Sequence, residues 1–262
     1  MELTLLEQSK DNLNLFVKGM EPAYANALRR AIMDLVPTMA IETVNINQNS
    51  SILYDEVLAH RLGLIPLKTD LESYVLPDQC KCKGQGCAQC QVDFKIQVTG
   101  PGPVYASELK FEDPKIKPVF DKMLIANLEK GQEIQVYGKA QLGIGRDHMK
   151  FAPGLVYYKY KPKLTIEEQP ENPEEVAKSC PKEIFEVKKG QLEINKDKVF
   201  ECHLCQACVE ESEGKIKLEE KDDEYLFYIE SFGQLSGNEM VKKAISILVA
   251  ETDEFSKQLK EI

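Results

Sequence analysis

Several features that mark enzymes and membrane proteins are absent from this sequence. It has no glycine-rich phosphate loop followed by lysine and no aspartate triplet suited to a two-metal centre. The three histidines, His60, His148 and His203, form no catalytic set with a nearby nucleophile. The longest apolar run, residues 244–250, falls far short of the ~20 residues that cross a bilayer. We therefore expect no catalytic residues, no membrane contact, no signal peptide and a cytoplasmic location.

The charge balance disfavours broad contact with nucleic acid. The 262 residues include 43 acidic and 33 basic side chains, which gives a formal net charge of −10. A surface that follows a phosphate backbone needs positive charge instead, so we expect little or no direct DNA contact. The hydrophobic content of 43% is typical of a globular chain with one large domain or about two to three small ones.

Hydrophobic periodicity predicts a mixed α and β structure. Residues 1–20 and 92–167 alternate as β-strands do. Residues 22–36 form a predicted helix that begins at Pro22 and stops before Pro37. Its apolar residues recur at helical spacing, and they are Tyr24, Ala27, Leu28, Ala31, Ile32, Leu35 and Val36.

A second amphipathic helix is predicted at the other end of the chain. It begins at Ser236, which has capping-box spacing to Glu239, and it continues to Lys257 or beyond. Its apolar residues, which include Ile245 and Leu248, cover more of the helix surface than one neighbour usually buries. The helix is therefore either fully internal or packs on its own domain with one side and on a second chain with the other.

Cysteines are the most informative residues here. They fall into two tight groups with Cys180 apart, and in a reducing cytoplasm such grouping favours metal binding over disulfides. Cys202, Cys205 and Cys208 form a C-x2-C-x2-C run, and Cys180 precedes a proline. Together they resemble a bacterial ferredoxin that has kept one cluster, because the fourth cysteine of each ferredoxin run ligates the other cluster.

The positions that a second cluster would need hold other residues, namely Pro170, Pro173, Val176 and Ser212. We predict one iron–sulfur cluster at Cys180, Cys202, Cys205 and Cys208, with either three or four irons. Zinc and structural thiols are the alternatives.

The other group, Cys80, Cys82, Cys87 and Cys90, places four thiols within eleven residues. Four thiolates can close a tetrahedral zinc site, and the spacing of Cys87 and Cys90 is that of a zinc knuckle. Zinc, disulfide pairing and an unmetallated loop remain open at this point.

Longer segments carry a resemblance to a known family. Ala-Leu-Arg-Arg at 27–30, Ile41-Glu42, residues 53–67 and residues 143–153 occur in the order of the α motif of cellular RNA polymerases. The chain resembles the D subunits of archaeal RNA polymerases, a family related to the bacterial α subunit and to the third-largest eukaryotic polymerase subunit.

The resemblance implies an α+β fold with a discontinuous arrangement. Residues 1–47 and 222–262 would form an α/β dimerisation domain, and residues 48–167 an inserted, mainly β domain with the cysteine loop. Residues 168–221 would form a small ferredoxin-like iron–sulfur domain. Zinc occupies the 80–90 loop in only some members of this family.

The resemblance also implies a non-catalytic assembly role in transcription. The chain would pair with the small L subunit of the polymerase, and the pair would form the platform for the second-largest subunit and other small subunits. The implied interface residues are Arg29, Arg30, Arg61, Ile245 and Leu248, although the basic ones could equally be solvated side chains. The alternative is a ferredoxin-like electron carrier or oxidoreductase subunit, which the acidic charge favours and the two terminal helices disfavour.

Overall fold

The computed structural model describes residues 1–261, and within them the chain forms fourteen β-strands and five α-helices. The first half contains β1 (Glu2–Gln8), β2 (Asn12–Lys18), α1 (Pro22–Asp34), β3 (Thr38–Asn49), α2 (Asp55–Gly63), β4 (Gln91–Thr99), β5 (Gly102–Tyr105), β6 (Lys110–Phe111) and β7 (Leu124–Leu128). The second half contains β8 (Glu133–Gly143), β9 (Gly154–Tyr160), β10 (Lys163–Ile166), α3 (Pro173–Ser179), β11 (Phe185–Lys188), β12 (Gln191–Ile194), α4 (Ala207–Glu211), β13 (Ile216–Glu219), β14 (Glu224–Ser231) and α5 (Gly237–Gln258).

Two compact units make up the chain. The first unit comprises residues 1–8, 14–26 and 157–228, and the second comprises residues 9–13, 27–156 and the chain from Ile229 onward. The sequence predicted a different division, into a discontinuous dimerisation domain and two inserts, and that division stays a prediction.

The second unit is organised around β8. This strand pairs with β3 on one side and β4 on the other, and β6 extends the antiparallel sheet in the order β3-β8-β4-β6. Leu58 and Leu62 of α2 are fully buried in the same core as Ile41 and Phe94. Burial of each such side chain contributes about 1.5–3 kcal/mol, so the hydrophobic face of α2 fixes that helix to its unit.

The first unit contains a small subdomain with two similar halves. Its elements follow the order β10-α3-β11 and then β12-α4-β13; the outer strands β10 and β13 pair with each other, and so do the inner strands β11 and β12. A core of its own, which includes Ile184, Phe185 and Leu192, lies between these elements together with three of the cysteines. A four-stranded sheet in the order β1-β2-β14-β9 completes the architecture.

Helix α1 begins at Pro22 as predicted and ends at Asp34, two residues before the predicted end, and its predicted apolar stripe is partly wrong. Tyr24 is 66% exposed and Ala27 is exposed, whereas Ala25 is fully buried together with Ile32 and Val36. The last turns follow the helical period as expected. The first turn differs because a small alanine approaches its neighbours more closely than a tyrosine ring can.

Helix α5 begins as predicted and is not an internal helix. Ser236 and Glu239 form a complete capping box, in which the Ser236 N–H donates to the Glu239 carboxylate at 2.8 Å. Only Met240 and Ala244 of this helix are buried, and every described residue from Val249 onward is exposed. No helix among the described residues has the length and apolar content of a bilayer crossing.

We expect Ser236→Ala to destabilise the chain by about 1 kcal/mol, because the Glu239 N–H in the first turn of α5 loses its side-chain acceptor. The change is measured as a lower urea midpoint. Ser246→Ala is the matched control on the exposed middle of the same helix, where alanine is a better helix former than serine. An equal loss of stability in both variants would contradict the role of the cap.

Candidate metal sites and assembly surface

The first cysteine group lies in a tight loop immediately before β4. Backbone turns join Lys83 to Cys80 and Gln85 to Cys82 through N–H to carbonyl hydrogen bonds of 2.8 and 3.2 Å. The loop reverses at Gly84 and Gly86, whose φ angles of +76° and +91° favour glycine. Two glycines in this short segment therefore allow four sulfurs to converge.

The four sulfurs have the separation expected around one tetrahedral ion. All lie within 4.8 Å of one another, and the hydrogen-bonded Sγ–Sγ pairs measure 3.4–3.9 Å. A zinc–sulfur bond of about 2.3 Å in tetrahedral geometry places the sulfurs about 3.8 Å apart. Disulfide sulfurs would lie at about 2.05 Å, and all eight cysteines are free thiols. The disulfide alternative is therefore not adopted, and the donor set fits a single thiolate-bound ion such as zinc.

Electrostatics within the loop favour thiolate at one position and thiol at another. Hydrogen bonding with the Cys80 sulfur lowers the pKa of Cys82 to about 6, whereas burial raises the pKa of Cys90 to about 12. The N–H of Cys87 donates to the Cys90 sulfur at 3.3 Å. A divalent cation at the centre would compensate the charge that the remaining thiols develop when they ionise.

Polar contacts hold the segment beside this loop. The Tyr74 hydroxyl donates to Asp113 at 2.8 Å, and Lys115 donates to Asp70 at 2.7 Å. The hydrogen bond from Lys115 holds the pKa of Asp70 well below its usual range. The N–H of Val75 also donates to the carbonyl of Gln89 at 2.9 Å, which ties the loop to its preceding segment.

The second group of cysteines lines one cavity in the small subdomain. Cys180, Cys202 and Cys208 are 9%, 6% and 6% exposed, whereas Cys205 lies on the exposed side of the same cavity with His203. Within residues 1–261, the cysteines of the 80–90 loop are the one group whose possible ligand atoms all lie within 4.8 Å of one another, as ligands of a single ion do. The wider placement of this second set fits a cluster with several metal atoms.

The loop that carries three of these thiols is backbone-strained. Leu204 and Gln206 have left-handed φ angles of +61° and +66°, which cost about 1–2 kcal/mol each for residues other than glycine. The Leu204 N–H bonds to the sulfur of Cys202, although burial dominates and raises the pKa of that thiol. Burial also raises the pKa of Cys208 to about 11. The Lys159 ammonium offsets this effect at Cys202 only in part, and a metal cluster would supply further positive charge to these thiolates.

The other half of the subdomain is filled with apolar side chains. Cys180 is the residue that follows α3, and Ser212 is the residue that follows α4. Ser212 therefore occupies, in one half of the subdomain, the position that Cys180 occupies in the other half. It is 2% exposed and accepts a hydrogen bond from the Ile216 N–H at 3.1 Å. Val176 is fully buried and Pro170 is also buried. This half therefore lacks the cysteine ligands that a second cluster would need.

The predicted arginine interface residues lie near the surface with local contacts. Arg29 donates to the Met33 sulfur at 3.9 Å, and Arg30 approaches Asp34 at 3.6 Å. Arg61 donates to the Ile125 carbonyl at 2.8 Å. Their interface role stays a prediction, because these contacts hold the side chains without showing what binds them.

The second unit exposes two apolar surfaces. On α5, Ile245 is 48% exposed, Phe255 is 62% exposed and Leu248 is half-buried. Four other side chains are 36–56% exposed beside one groove; this groove surface comprises Leu64, Phe120, Met149 and Phe232. Sequence reasoning found Leu64 and Met149 within the resembling segments 53–67 and 143–153 and missed Phe120 and Phe232. They stand singly in irregular segments, where no periodic signal exists.

Comparison with known proteins defines the class. Residues 40–153, which lie in the second unit and include the 80–90 loop, match the family model of the RNA polymerase Rpb3/RpoA insert domain. The chain is thus similar to RNA polymerase subunits that carry this domain.

Full-length relatives define the family. The chain is 35% identical over 261 residues to DNA-directed RNA polymerase subunit Rpo3 of Methanosphaera stadtmanae, across 97% of this chain and 96% of the relative. It is 36% identical over 252 residues to the Rpo3 subunit of Methanopyrus kandleri, across 95% and 92%. It is 35% identical over 262 residues to that of Archaeoglobus fulgidus, across 100% and 98%. The chain belongs to the Rpo3 family of DNA-directed RNA polymerase subunits.

We expect Cys87→Ser to lower the zinc content of the purified chain, because a hydroxyl is a much weaker zinc ligand than a thiolate. Zinc is counted by mass spectrometry after dialysis against a weak chelator. Cys205→Ser is the control, since it removes a thiol outside the loop. Equal zinc retention in the wild type and in Cys87→Ser would contradict a metal site here.

Proposed function

We propose that this chain is a non-catalytic assembly subunit that forms a heterodimer with a small polymerase subunit, the counterpart of the L subunit. The pair would act as the platform on which the second-largest subunit and other small subunits assemble. The observation that carries this proposal is the exposed apolar face of α5. The Rpo3 family membership supplies the complex in which such a face would be covered.

The argument from α5 is energetic. Its described residues from Val249 onward are all exposed, and an isolated helix segment of that length is marginal in water. Phe255 and Leu259 are 62% and 56% exposed, so their own chain covers less than half of the surface of each residue. Packing against a partner helix would bury both and stabilise this half of α5.

A second docking surface supports the platform role. The groove surface of Leu64, Phe120, Met149 and Phe232 is apolar at its centre and has Asp11, Lys150 and Glu230 around it. Interfaces between subunits combine an apolar centre with a polar rim in this way. We assign this surface, with Arg29, Arg30 and Arg61, to contacts with the larger subunits.

We further propose that the two cysteine groups have different occupants. The 80–90 loop would hold zinc, and the small subdomain would hold one iron–sulfur cluster through Cys180, Cys202, Cys205 and Cys208. The order β-α-β-β-α-β, with one half apolar, supports a ferredoxin-like domain that retains a single cluster. Such a cluster can exchange electrons when bound, while the protein supplies thiolates, burial and backbone N–H groups.

An electron carrier is the less favoured function. The half that would house a second cluster is filled by Val176 and Pro170, so the chain offers no second centre for internal electron transfer. The exposed face of α5 has no purpose in a free carrier. We therefore assign the cluster a structural or regulatory role.

Replacing Ile245 and Leu248 together by glutamate should abolish the heterodimer, because unpaired charges in an apolar interface cost several kcal/mol, roughly 3–5. Co-expression with the small subunit and size-exclusion chromatography measure the loss. Ser246→Glu is the matched control on the polar side of the same helix. If the double variant still co-purifies with the partner, the interface lies elsewhere.

Changing Cys202, Cys205 and Cys208 to serine should remove iron and expose residues 168–220 to protease while heterodimer formation persists. The reason is that the subdomain core includes the cysteines, whereas α5 does not depend on them. Limited proteolysis and co-purification provide separate readouts. Loss of the heterodimer in this variant would show that the cluster is needed for pairing.

A further inference from the structure

The sheet of the first unit reaches the cysteine run through two side chains. Lys159 on β9 donates from Nζ to the carbonyl of Cys202 at 2.8 Å, and the Tyr228 hydroxyl on β14 donates to the carbonyl of Phe200 at 3.1 Å. The Lys159 ammonium also lies 5.4 Å from the centre of the Tyr228 ring. Both strands are neighbours in the sheet, so the two contacts act on one short segment.

Lys159 is a cation without a matching carboxylate. Within the part of the chain described, its Nζ forms no salt bridge with an acidic side chain, although Glu201 and the exposed Lys182 are near enough to influence it. The side chain is only partly exposed. A partly buried, unpaired ammonium is unfavourable unless negative charge lies close by.

The thiolates of the cysteine run are the negative charge in reach. Cys202 lies close enough to Lys159 for a direct Coulomb attraction. A cluster held by four thiolates is anionic, and reduction adds one more negative charge. A neighbouring cation stabilises the reduced form more than the oxidised form, because the Coulomb energy grows with the charge.

We propose that Lys159 is a positioning residue for the cluster, which holds the Cys202 segment and raises the reduction potential through its charge. This inference rests on the proposed iron–sulfur site. It goes beyond that site because it assigns an electrostatic function to a residue of the sheet, outside both cysteine groups.

The test uses the full chain, reconstituted anaerobically with iron and sulfide. Iron content is counted, and the cluster is titrated with dithionite, which gives up electrons to the cluster and is oxidised to sulfite. Electron paramagnetic resonance follows the one-electron step. The variants are Lys159→Met, Lys159→Arg and Tyr228→Phe, with Lys188→Met as control, since that lysine pairs with Glu186 and Glu193 on the β11–β12 hairpin.

Lys159→Met should keep its iron while its reduction equilibrium constant falls about tenfold, which equals about 59 mV for one electron. Lys159→Arg should stay close to the wild type, because the charge is retained. Tyr228→Phe and Lys188→Met should leave the potential unchanged. A loss of iron in Lys159→Met that Lys159→Arg restores would also support the need for a cation.

Equal potentials in Lys159→Met and Lys188→Met would overturn the proposal. So would an equal loss of iron in Lys159→Met and Tyr228→Phe, because both groups would then only tether the segment. A wild-type chain that takes up no iron under these conditions would overturn the cluster itself, and with it this role. The iron count therefore separates the two failures.

Discussion

Helix α5 has more apolar surface than its own chain buries, and this exposed surface is the main physical argument for an assembly role. The capping box at Ser236 and the burial of Met240 and Ala244 fix the first turns in the second unit. Beyond them Leu248 is half-buried, but Ile245 and every described residue from Val249 onward are exposed, including the apolar Phe255 and Leu259. A helix of this kind reaches its full stability only when another chain covers it, which is why family membership and physical argument lead to the same assembly role.

The two cysteine sites differ because their backbones differ. The 80–90 loop reverses at two glycines and brings four sulfurs within 4.8 Å, which suits one ion. The other site has a buried wall of Cys180, Cys202 and Cys208 and an exposed edge at Cys205. Its two left-handed residues, Leu204 and Gln206, turn the chain without glycine. Strain of this kind persists where the surroundings over-determine the backbone.

The small subdomain keeps its regular fold although one of its halves lacks the cysteine ligands of a metal cluster. Its outer and inner strand pairs remain, but Val176 and Ser212 fill positions where thiols would be needed. Apolar packing there replaces the cross-links that a second cluster would provide. The retained half still meets the sheet through Lys159 and Tyr228, so the two parts of the first unit share contacts at the cysteine run.

The sequence by itself determined the local features: the strand pattern of residues 1–20, the start of α1, the capping box of α5 and the grouping of the cysteines. These follow from periodicity, proline and cap chemistry, which act over a few residues. Only the tertiary structure decided that Ala25 is buried in place of Tyr24, that α5 is uncovered, and that Phe120, Met149 and Phe232 share a surface with Leu64. Likewise the contact of Lys159 with Cys202 joins residues 43 apart. Such outcomes depend on which distant side chains compete for the same space, and that competition has no signature in a local pattern.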